Sequence, residues 1–178
     1  MKRFLLIQLI TPFISLLYGQ TPDPIEWTDN VRLEWSNYAY IETDLFLKEA
    51  LTYSEIQVEK LLSNDDHTPT YKVIAQFYPS KSWTNDTSSN SLLRHERLHF
   101  DITELYARKM REIVERLKKE GISDFKLYSG ELSKLYSECQ VYQSKYDQET
   151  SSGLKEIEQQ AWNEEISKML KEFDRFSK

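Results

Sequence analysis

The chain has 178 residues, and 29 Asp and Glu against 23 Lys and Arg give it a formal net charge of −6. An acidic chain of this kind lacks the basic surface that nucleic acids and anionic membranes require, so we expect no nucleic-acid partner. Its single cysteine, Cys139, excludes an internal disulfide. No serine lies in a GxSxG motif and no glycines have a phosphate-binding spacing, which disfavours serine-hydrolase and nucleotide chemistry.

Residues 1–19 have the pattern of a secretory signal peptide. Lys2 and Arg3 precede an apolar run from residue 4 to residue 17, and Gly19 supplies a small residue for cleavage. Pro12 interrupts the run, which is shorter than the roughly 20 apolar residues of a membrane span. We therefore predict export to the periplasm or the extracellular space, with no stable membrane insertion after cleavage. Loss of the two basic residues would change the net charge from −6 to −8.

The remaining chain is predicted to form one α+β domain. Residues 20–30 carry two prolines and are predicted to be an exposed N-terminal arm, followed by a single domain over residues 31–178. Alternating apolar residues between residues 31 and 78 predict a small antiparallel sheet, most clearly in YKVIAQFY at residues 71–78. Because extended substrates often bind along sheet edges, residues 71–77 are also a candidate wall of a substrate cleft.

Three helices are predicted after the sheet. The first covers residues 91–119 and ends before Gly121, where a left-handed cap is favourable. The others are predicted within residues 131–146 and 154–176, with a break at DQETSSG, residues 147–153. At about 100° per residue, one stripe of the first helix holds His95 and five further side chains within about 40° of it. They are His95, His99, Ile102, Tyr106, Ile113 and Leu117.

The first helix carries the motif HExxH at residues 95–99. Side chains four residues apart lie on one helical face, so His95 and His99 can bind the same tetrahedral ion. Glu96 points about 100° away and is positioned to act as general base on a water in the remaining coordination position. The pattern predicts a zinc cofactor and hydrolysis of an amide bond. The alternative is two half-buried histidines held by their neighbours.

Four segments resemble a family of exported bacterial proteins described as predicted secreted zinc-dependent proteases. These segments are YPSKSWTN at 78–85, LLRHERLHFDITELYARKMR at 92–111, YDQETSSG at 146–153 and QQAW at 159–162. The resemblance implies a zincin-like domain in which His95 and His99 bind zinc and Glu96 is catalytic. In the family pattern a histidine precedes the last glycine of the third segment, whereas this chain has Ser152 before Gly153.

The sequence leaves the third metal ligand open. A catalytic zinc usually has three protein ligands and a water, so two histidines need a partner. Glu149 and Asp147 lie near the position of the missing histidine and carry carboxylates, and Glu149 is the preferred candidate. His67 is a weaker alternative in a predicted turn. Asp101 and Glu104 point away from the histidine stripe and are predicted to be solvated or to support the ligands.

We therefore predict a secreted or periplasmic zinc metallopeptidase that acts on a protein or peptide substrate. One alternative is a catalytically degenerate relative that binds an envelope protein without cleaving it, which the serine at position 152 motivates. A second alternative is a structural zinc domain, or one without metal, that serves in assembly. The oligomeric state does not follow from the sequence.

Overall fold

The fold was obtained as a computed structural model, and the structure describes residues 24–42, 49–61 and 69–178. The signal peptide predicted at residues 1–19 and the candidate ligand His67 lie outside these residues. The described chain is an α+β domain, as predicted, with two small sheets and three helices. None of the helices within these ranges is sufficiently long and apolar to cross a membrane.

The larger sheet has the strand order β1-β5-β4 and is antiparallel throughout. Its strands are β1 (Ile25–Glu26), β4 (Ser54–Leu61) and β5 (Thr70–Phe77). The strand predicted at residues 71–78 is confirmed as β5, and Val58 pairs with Val73 at its centre. Alternate side chains of β5 enter the core, where Phe77 is fully buried, because successive residues of a strand face opposite sides of a sheet.

The smaller sheet has the strand order β2-β6-β3. It consists of β2 (Ala39–Tyr40), β3 (Ala50–Leu51) and β6 (Trp83–Thr84), and its β2–β6 pair is parallel. The prediction of a wholly antiparallel sheet over residues 31–78 is therefore too simple. Within the alternating stretch that begins at Val31, residues Trp35–Asn37 form a 3₁₀ turn instead of a strand. The side chain of Glu34 accepts a hydrogen bond from the backbone of Asn37, and the side chain of Asn37 caps Glu34 in return.

Two predictions about the sheet are corrected. Residues 20–30 are not an arm over their whole length, because Ile25 pairs with Phe77 in β1 and the indole of Trp27 donates to Asp101 at 2.8 Å. Residues 71–77 are not an edge strand, because β5 lies between β1 and β4 and is hydrogen-bonded on both sides. An edge that a substrate could extend must therefore be sought elsewhere.

Helix α1 (Asn90–Lys119) is the centre of the domain. Ser89 caps its first turn by accepting from the backbone of Leu92, and Gly121 follows its last turn with φ +70°. The predicted bounds of this helix are confirmed to within one residue. It packs against β4, β5 and the two following helices. This position buries far more of the helix than one stripe, including Leu105, Ala107 and Met110.

Helices α2 (Phe125–Thr150) and α3 (Glu156–Glu172) complete the domain, and a 3₁₀ turn (Asp174–Phe176) follows α3. The break predicted at residues 147–153 is shorter than expected, because α2 continues through Thr150. It ends where Ser151 adopts the left-handed conformation with φ 49°. Asp147 is thus a helical residue whose direction is fixed by α2.

Candidate metal centre

The two histidines of HExxH converge in the structure. Their positions four apart on α1 place both imidazoles on one face, and the two Nε2 atoms lie 3.2 Å apart. The His95 residue is 1% exposed, and the side chain of His99 is 13% exposed. The helix therefore holds both rings in a largely dry position.

Asp147 is the third member of the group. From α2, its Oδ1 atom lies 3.1 Å from Nε2 of His95 and 2.9 Å from Nε2 of His99. One ligand atom from each of the three side chains lies within 4.8 Å of the others, so the group can hold a metal ion. The two helices α1 and α2 thus supply a two-histidine, one-carboxylate set of donors.

Glu149, the preferred third ligand from the sequence, is directed elsewhere. Its carboxylate accepts from the indole of Trp162 at 3.0 Å and lies 3.7 Å from Nζ of Lys145. Two residues along a helix correspond to a rotation of about 200°, so Asp147 and Glu149 face nearly opposite directions. Asp147, the second carboxylate considered, takes the position beside the histidines.

The ring of His95 is oriented by a buried amide. Its Nδ1 lies 3.1 Å from Oε1 of Gln159, while the amide nitrogen of Gln159 donates to Asn163 at 2.9 Å. This assignment makes the glutamine oxygen an acceptor, so Nδ1 of His95 carries the hydrogen and its Nε2 presents a lone pair toward Asp147. The ring of Tyr146 stacks on His95 with a centroid distance of 4.5 Å, which fixes the imidazole plane.

A second glutamine orients His99 in the same way. Oε1 of Gln143 is hydrogen-bonded to Nδ1 of His99, and the amide nitrogen of Gln143 donates to the His99 carbonyl at 2.9 Å. That nitrogen also lies 3.2 Å from Oγ1 of Thr103. Nδ1 of His99 is therefore the donor in this pair, and its Nε2 faces the shared point. Ligand histidines in metal proteins usually have such a partner on their other nitrogen.

These tautomers bring three acceptor atoms together. With hydrogen on both Nδ1 atoms, the two Nε2 lone pairs and the oxygen of Asp147 point at one another across 2.9–3.2 Å. Lone pairs at this separation repel in a dry site, and a shared cation or a proton removes the repulsion. The donor set therefore fits a metal ion.

The turn after α2 closes over His95. Gly153 has φ +86°, and a Cβ built on it would lie 2.8 Å from Cβ and 3.0 Å from Cγ of His95. Both atoms connect the imidazole of His95 to the main chain and cannot swing aside, so a larger residue would have to displace the whole ring. Ser152 precedes this glycine with φ 54° and lines the small cavity beside His95. Glycine at this position is therefore required by close approach as well as by conformation.

Glu96 lies beside the group without belonging to it. The residue is 4% exposed, and within the described residues its Oε2 has no hydrogen-bond partner. Like Asp147, it lines two cavities, one that also borders His95 and one that also borders His99. A buried acceptor without a partner is uncommon, and it is expected where a water or a substrate donates. The role of general base predicted from HExxH stays a prediction.

The other acidic residues of α1 do not approach the histidines. Asp101 accepts from Trp27, and burial raises its pKa to about 6. Glu104 was expected to be solvated or to support the ligands, but it is 1% exposed and paired with Arg108 and Arg111. These two carboxylates therefore belong to the packing of α1.

Residues that the sequence reading missed are the ones that orient the rings. Gln143 lies four residues before Asp147 on α2, so the two share a helical face, and this spacing is the signal that could have found it. Gln159 belongs to the QQAW segment, whose letters alone do not indicate a contact with His95.

Comparisons of the chain with models of protein families, with curated proteins and with solved structures find no match.

We expect metal affinity to fall as the pH is lowered. Burial disfavours a charged His99, but the hydrogen bond to Asp147 and the charge of Glu96 outweigh it and raise the pKa of His99 above its usual value. A proton on His99 contributes stability to the metal-free protein below the unfolded pKa of about 6.5, and this stability is lost as the pH rises through the folded pKa. The cation must displace that proton.

Competition with a chromophoric chelator at a series of pH values between about 5.5 and 8 would measure this dependence. Below the raised pKa of His99, affinity should fall at least about tenfold per pH unit, because one proton or more is released for each ion bound. An affinity that does not change over this range would contradict the assignment of His99 as a ligand.

Proposed function

We propose that the protein is an exported zinc-dependent metallopeptidase in which His95, His99 and Asp147 hold the ion and Glu96 is the general base. The observation that carries the proposal is the convergence of the three ligand atoms beside a buried carboxylate. Export is supported by the signal-peptide pattern of residues 1–19, and peptidase chemistry by HExxH and the family resemblance.

The donor set favours zinc over harder cations. At zinc–ligand distances of about 2.0–2.1 Å, two ligand atoms of a tetrahedral site lie about 3.3 Å apart. The separations between the two Nε2 atoms and Oδ1 of Asp147 are 2.9, 3.1 and 3.2 Å, so little movement is needed. Calcium and magnesium prefer shells made of oxygen, whereas two of these three donors are imidazole nitrogens.

When bound in a site of this kind, zinc lowers the pKa of a water to about 7 and polarises the scissile carbonyl. Oε2 of Glu96 takes the proton of the attacking water, whose oxygen forms the new bond to the carbonyl carbon. Glu96 then passes this proton to the amide nitrogen as the carbon–nitrogen bond breaks, which leaves a carboxylic acid and an amine. Gln159 and Gln143 hold the imidazoles in the tautomers that expose Nε2.

The alternative of a degenerate binding protein was motivated by Ser152. Asp147 supplies a third donor from the same region of the chain, so the loss of a histidine at position 152 does not leave the group with two ligands. A carboxylate beside two histidines is a donor set that catalytic zinc sites use. Asp147 therefore favours the enzyme over the binding protein.

Removal and return of the metal test the proposed activity. The purified protein, supplied with zinc, is expected to cleave a generic unfolded substrate such as a fluorescently labelled casein. A chelator should abolish cleavage, and added zinc should restore it. Stoichiometric zinc without any cleavage would contradict the peptidase and support the binding protein. Failure to bind zinc at saturating supply would contradict both.

A further inference from the structure

Two cavities adjoin at the candidate metal centre. The smaller, of about 130 Å³, lies on the side of Ser152, and the larger, of about 260 Å³, lies on the side of Tyr136. They are neighbours, because Ala50, Glu96 and Asp147 line both. We call the combined space the metal-site cleft. Its walls are residues 49–55 on one side and α1, α2 and the turn after α2 on the other.

The wall formed by residues 49–55 suits an extended peptide. Strand β3 lies at one end of the smaller sheet, and within the described residues it pairs with β6 alone, through Ala50 and Leu51. Both residues of β3 line the metal-site cleft. An edge strand beside a cleft can align a substrate by main-chain hydrogen bonds. Alternate side chains of the substrate then contact the walls of the cleft, which determines specificity.

The metal-site cleft is strongly acidic. Among its described lining residues there is no lysine or arginine. Four of them carry carboxylates, namely Glu49, Glu55, Glu96 and Asp147. A divalent cation would offset two of these charges, so a negative excess remains at the two ends, at Glu49 and Glu55. By contrast, a cavity between α1 and α3 is lined by five basic and three acidic residues. The cleft therefore attracts positive charge locally, beyond the effect of the acidic chain as a whole.

The carboxylate of Glu55 is held in place by two neighbours. The hydroxyl of Tyr53 donates to Oε1, and the amide nitrogen of Gln57 donates to Oε2 at 3.2 Å. The hydrogen bond to Glu55 is the main reason that the pKa of Tyr53 is raised to about 12, so Tyr53 stays a donor. An oriented carboxylate loses less entropy when it binds a cation than a mobile one. At the other end of the cleft, Glu49 is exposed.

The unpaired carboxylate of Glu96 independently indicates that a ligand enters the metal-site cleft. This residue is 4% exposed, and its Oε2 finds no donor in the described part of the chain. A water or substrate group above the ligands would supply one. A peptide bound at this point could also contact Glu55, because Glu96 and Glu55 both line the larger cavity.

From these observations we infer that the metal-site cleft selects peptides with a lysine or arginine side chain that reaches Glu55, on one side of the bond to be cleaved. This inference rests on the proposed peptidase function. A charge-assisted hydrogen bond from the basic side chain to the preoriented carboxylate would provide the selectivity. The larger cavity has a volume of about 260 Å³, and Tyr136 lines it as well.

Paired peptides test the inference. The two peptides of a pair differ at one position, which is lysine in one and the uncharged norleucine in the other. A series of pairs places this difference at successive positions along the peptide. At one position the zinc-loaded wild-type protein should prefer lysine by about tenfold or more in kcat/KM, as expected for a charged hydrogen bond. Glu55→Gln should reduce this ratio to near one, because cleavage of the lysine peptide loses the charged hydrogen bond that the norleucine peptide never makes.

Glu59→Gln is the matched control, because Glu59 lies on the same strand, carries the same charge and is exposed outside the metal-site cleft. It should keep the preference of the wild type. Cleavage without a preference for lysine at any position, or a preference that survives Glu55→Gln, would overturn the inference while leaving the peptidase proposal intact.

Equilibrium binding provides a readout that does not need turnover. Fluorescence anisotropy of the same labelled peptides with the zinc-loaded protein should show the lysine preference and its loss in Glu55→Gln. If no peptide is cleaved, the proposed function fails, and binding alone decides the inference. Tighter binding of the lysine peptide that depends on Glu55 would support it, and equal binding of both peptides would overturn it.

Discussion

Glu96→Gln should lower kcat/KM for peptide hydrolysis by about 10²–10⁴-fold, the range that a positioned general base contributes. Glutamine has nearly the same shape as glutamate but cannot take a proton from water. Glu96 is not among the three converging ligands, so zinc binding should be retained. The measurement is steady-state kinetics on a quenched fluorescent peptide, with the zinc content of each preparation determined in parallel.

Glu115→Gln is a suitable control for this substitution. Glu115 lies on the same helix, but its side chain is 44% exposed and paired with Lys119, far along α1 from the histidines. This variant should retain wild-type activity. Full activity in Glu96→Gln would contradict the catalytic role, and loss of zinc together with activity would make Glu96 a residue that supports the site.

Glu104→Gln should lower the free energy of unfolding by roughly 3–5 kcal/mol, because it removes the buried carboxylate that Arg108 and Arg111 share. The other carboxylates near Arg108, those of Asp29 and Asp174, are exposed and at 3.6 and 3.5 Å. The carboxylate accepts from Nε of Arg108 at 2.9 Å and from Nη2 of Arg111 at 2.8 Å. Arg108 also donates to the carbonyl of Leu170 at 2.7 Å, and Arg111 to that of Val73 at 3.0 Å. The network therefore joins α1 to α3 and to β5.

Urea denaturation followed by circular dichroism would measure the loss. Glu112→Gln provides the comparison, since Glu112 lies on the same helix with a side chain that is 42% exposed and pairs with Arg175 at 3.9 Å. An exposed pair contributes at most about 1 kcal/mol, so this variant should be nearly as stable as the wild type. Equal stability of the two variants would contradict the structural role of Glu104.

The HExxH helix and strand β5 could be predicted because local pattern determines them. Apolar residues at helical spacing and Gly121 predict α1 without reference to the rest of the chain, and the structure adds a cap at Ser89. In the same way, the alternation of apolar residues predicts the strand β5. The shared face of His95 and His99 follows directly from the period of the helix.

The choice between Asp147 and Glu149 could not be made from the sequence. Had residues 147–153 formed a loop, either carboxylate could have turned toward the histidines. Helix α2 instead continues to Thr150, and its phase directs Asp147 toward the two histidines and Glu149 toward Trp162. The end of a helix depends on tertiary packing as well as on local composition, and the choice between the two carboxylates depended on where α2 ends.

The burial of charged residues on α1 also could not be predicted from the sequence. The face opposite the histidines carries Glu104 and Arg108, which the amphipathic pattern assigns to solvent. In the structure, Leu170 of α3 and Ser177 after the last 3₁₀ turn accept from Arg108, so this face is covered. Such coverage arises from contacts more than 60 residues apart along the chain.

Short strands were the least predictable part of the fold. β2, β3 and β6 have two residues each, and each exists through pairing with a strand distant in sequence. A two-residue strand has no period of its own to read. This matters for function, because β3 and not β5 borders the metal-site cleft.

Calorimetric titration of zinc into the wild type, Asp147→Asn and Glu149→Gln tests the assignment of the metal centre most directly. The wild type should bind one zinc per chain. Asp147→Asn should weaken zinc binding by more than the roughly 10–100-fold that follows loss of a residue hydrogen-bonded to a ligand, because here a proposed ligand itself is changed. Glu149→Gln should bind as the wild type does. Unchanged affinity in Asp147→Asn, or a large loss in Glu149→Gln, would contradict the three-residue site.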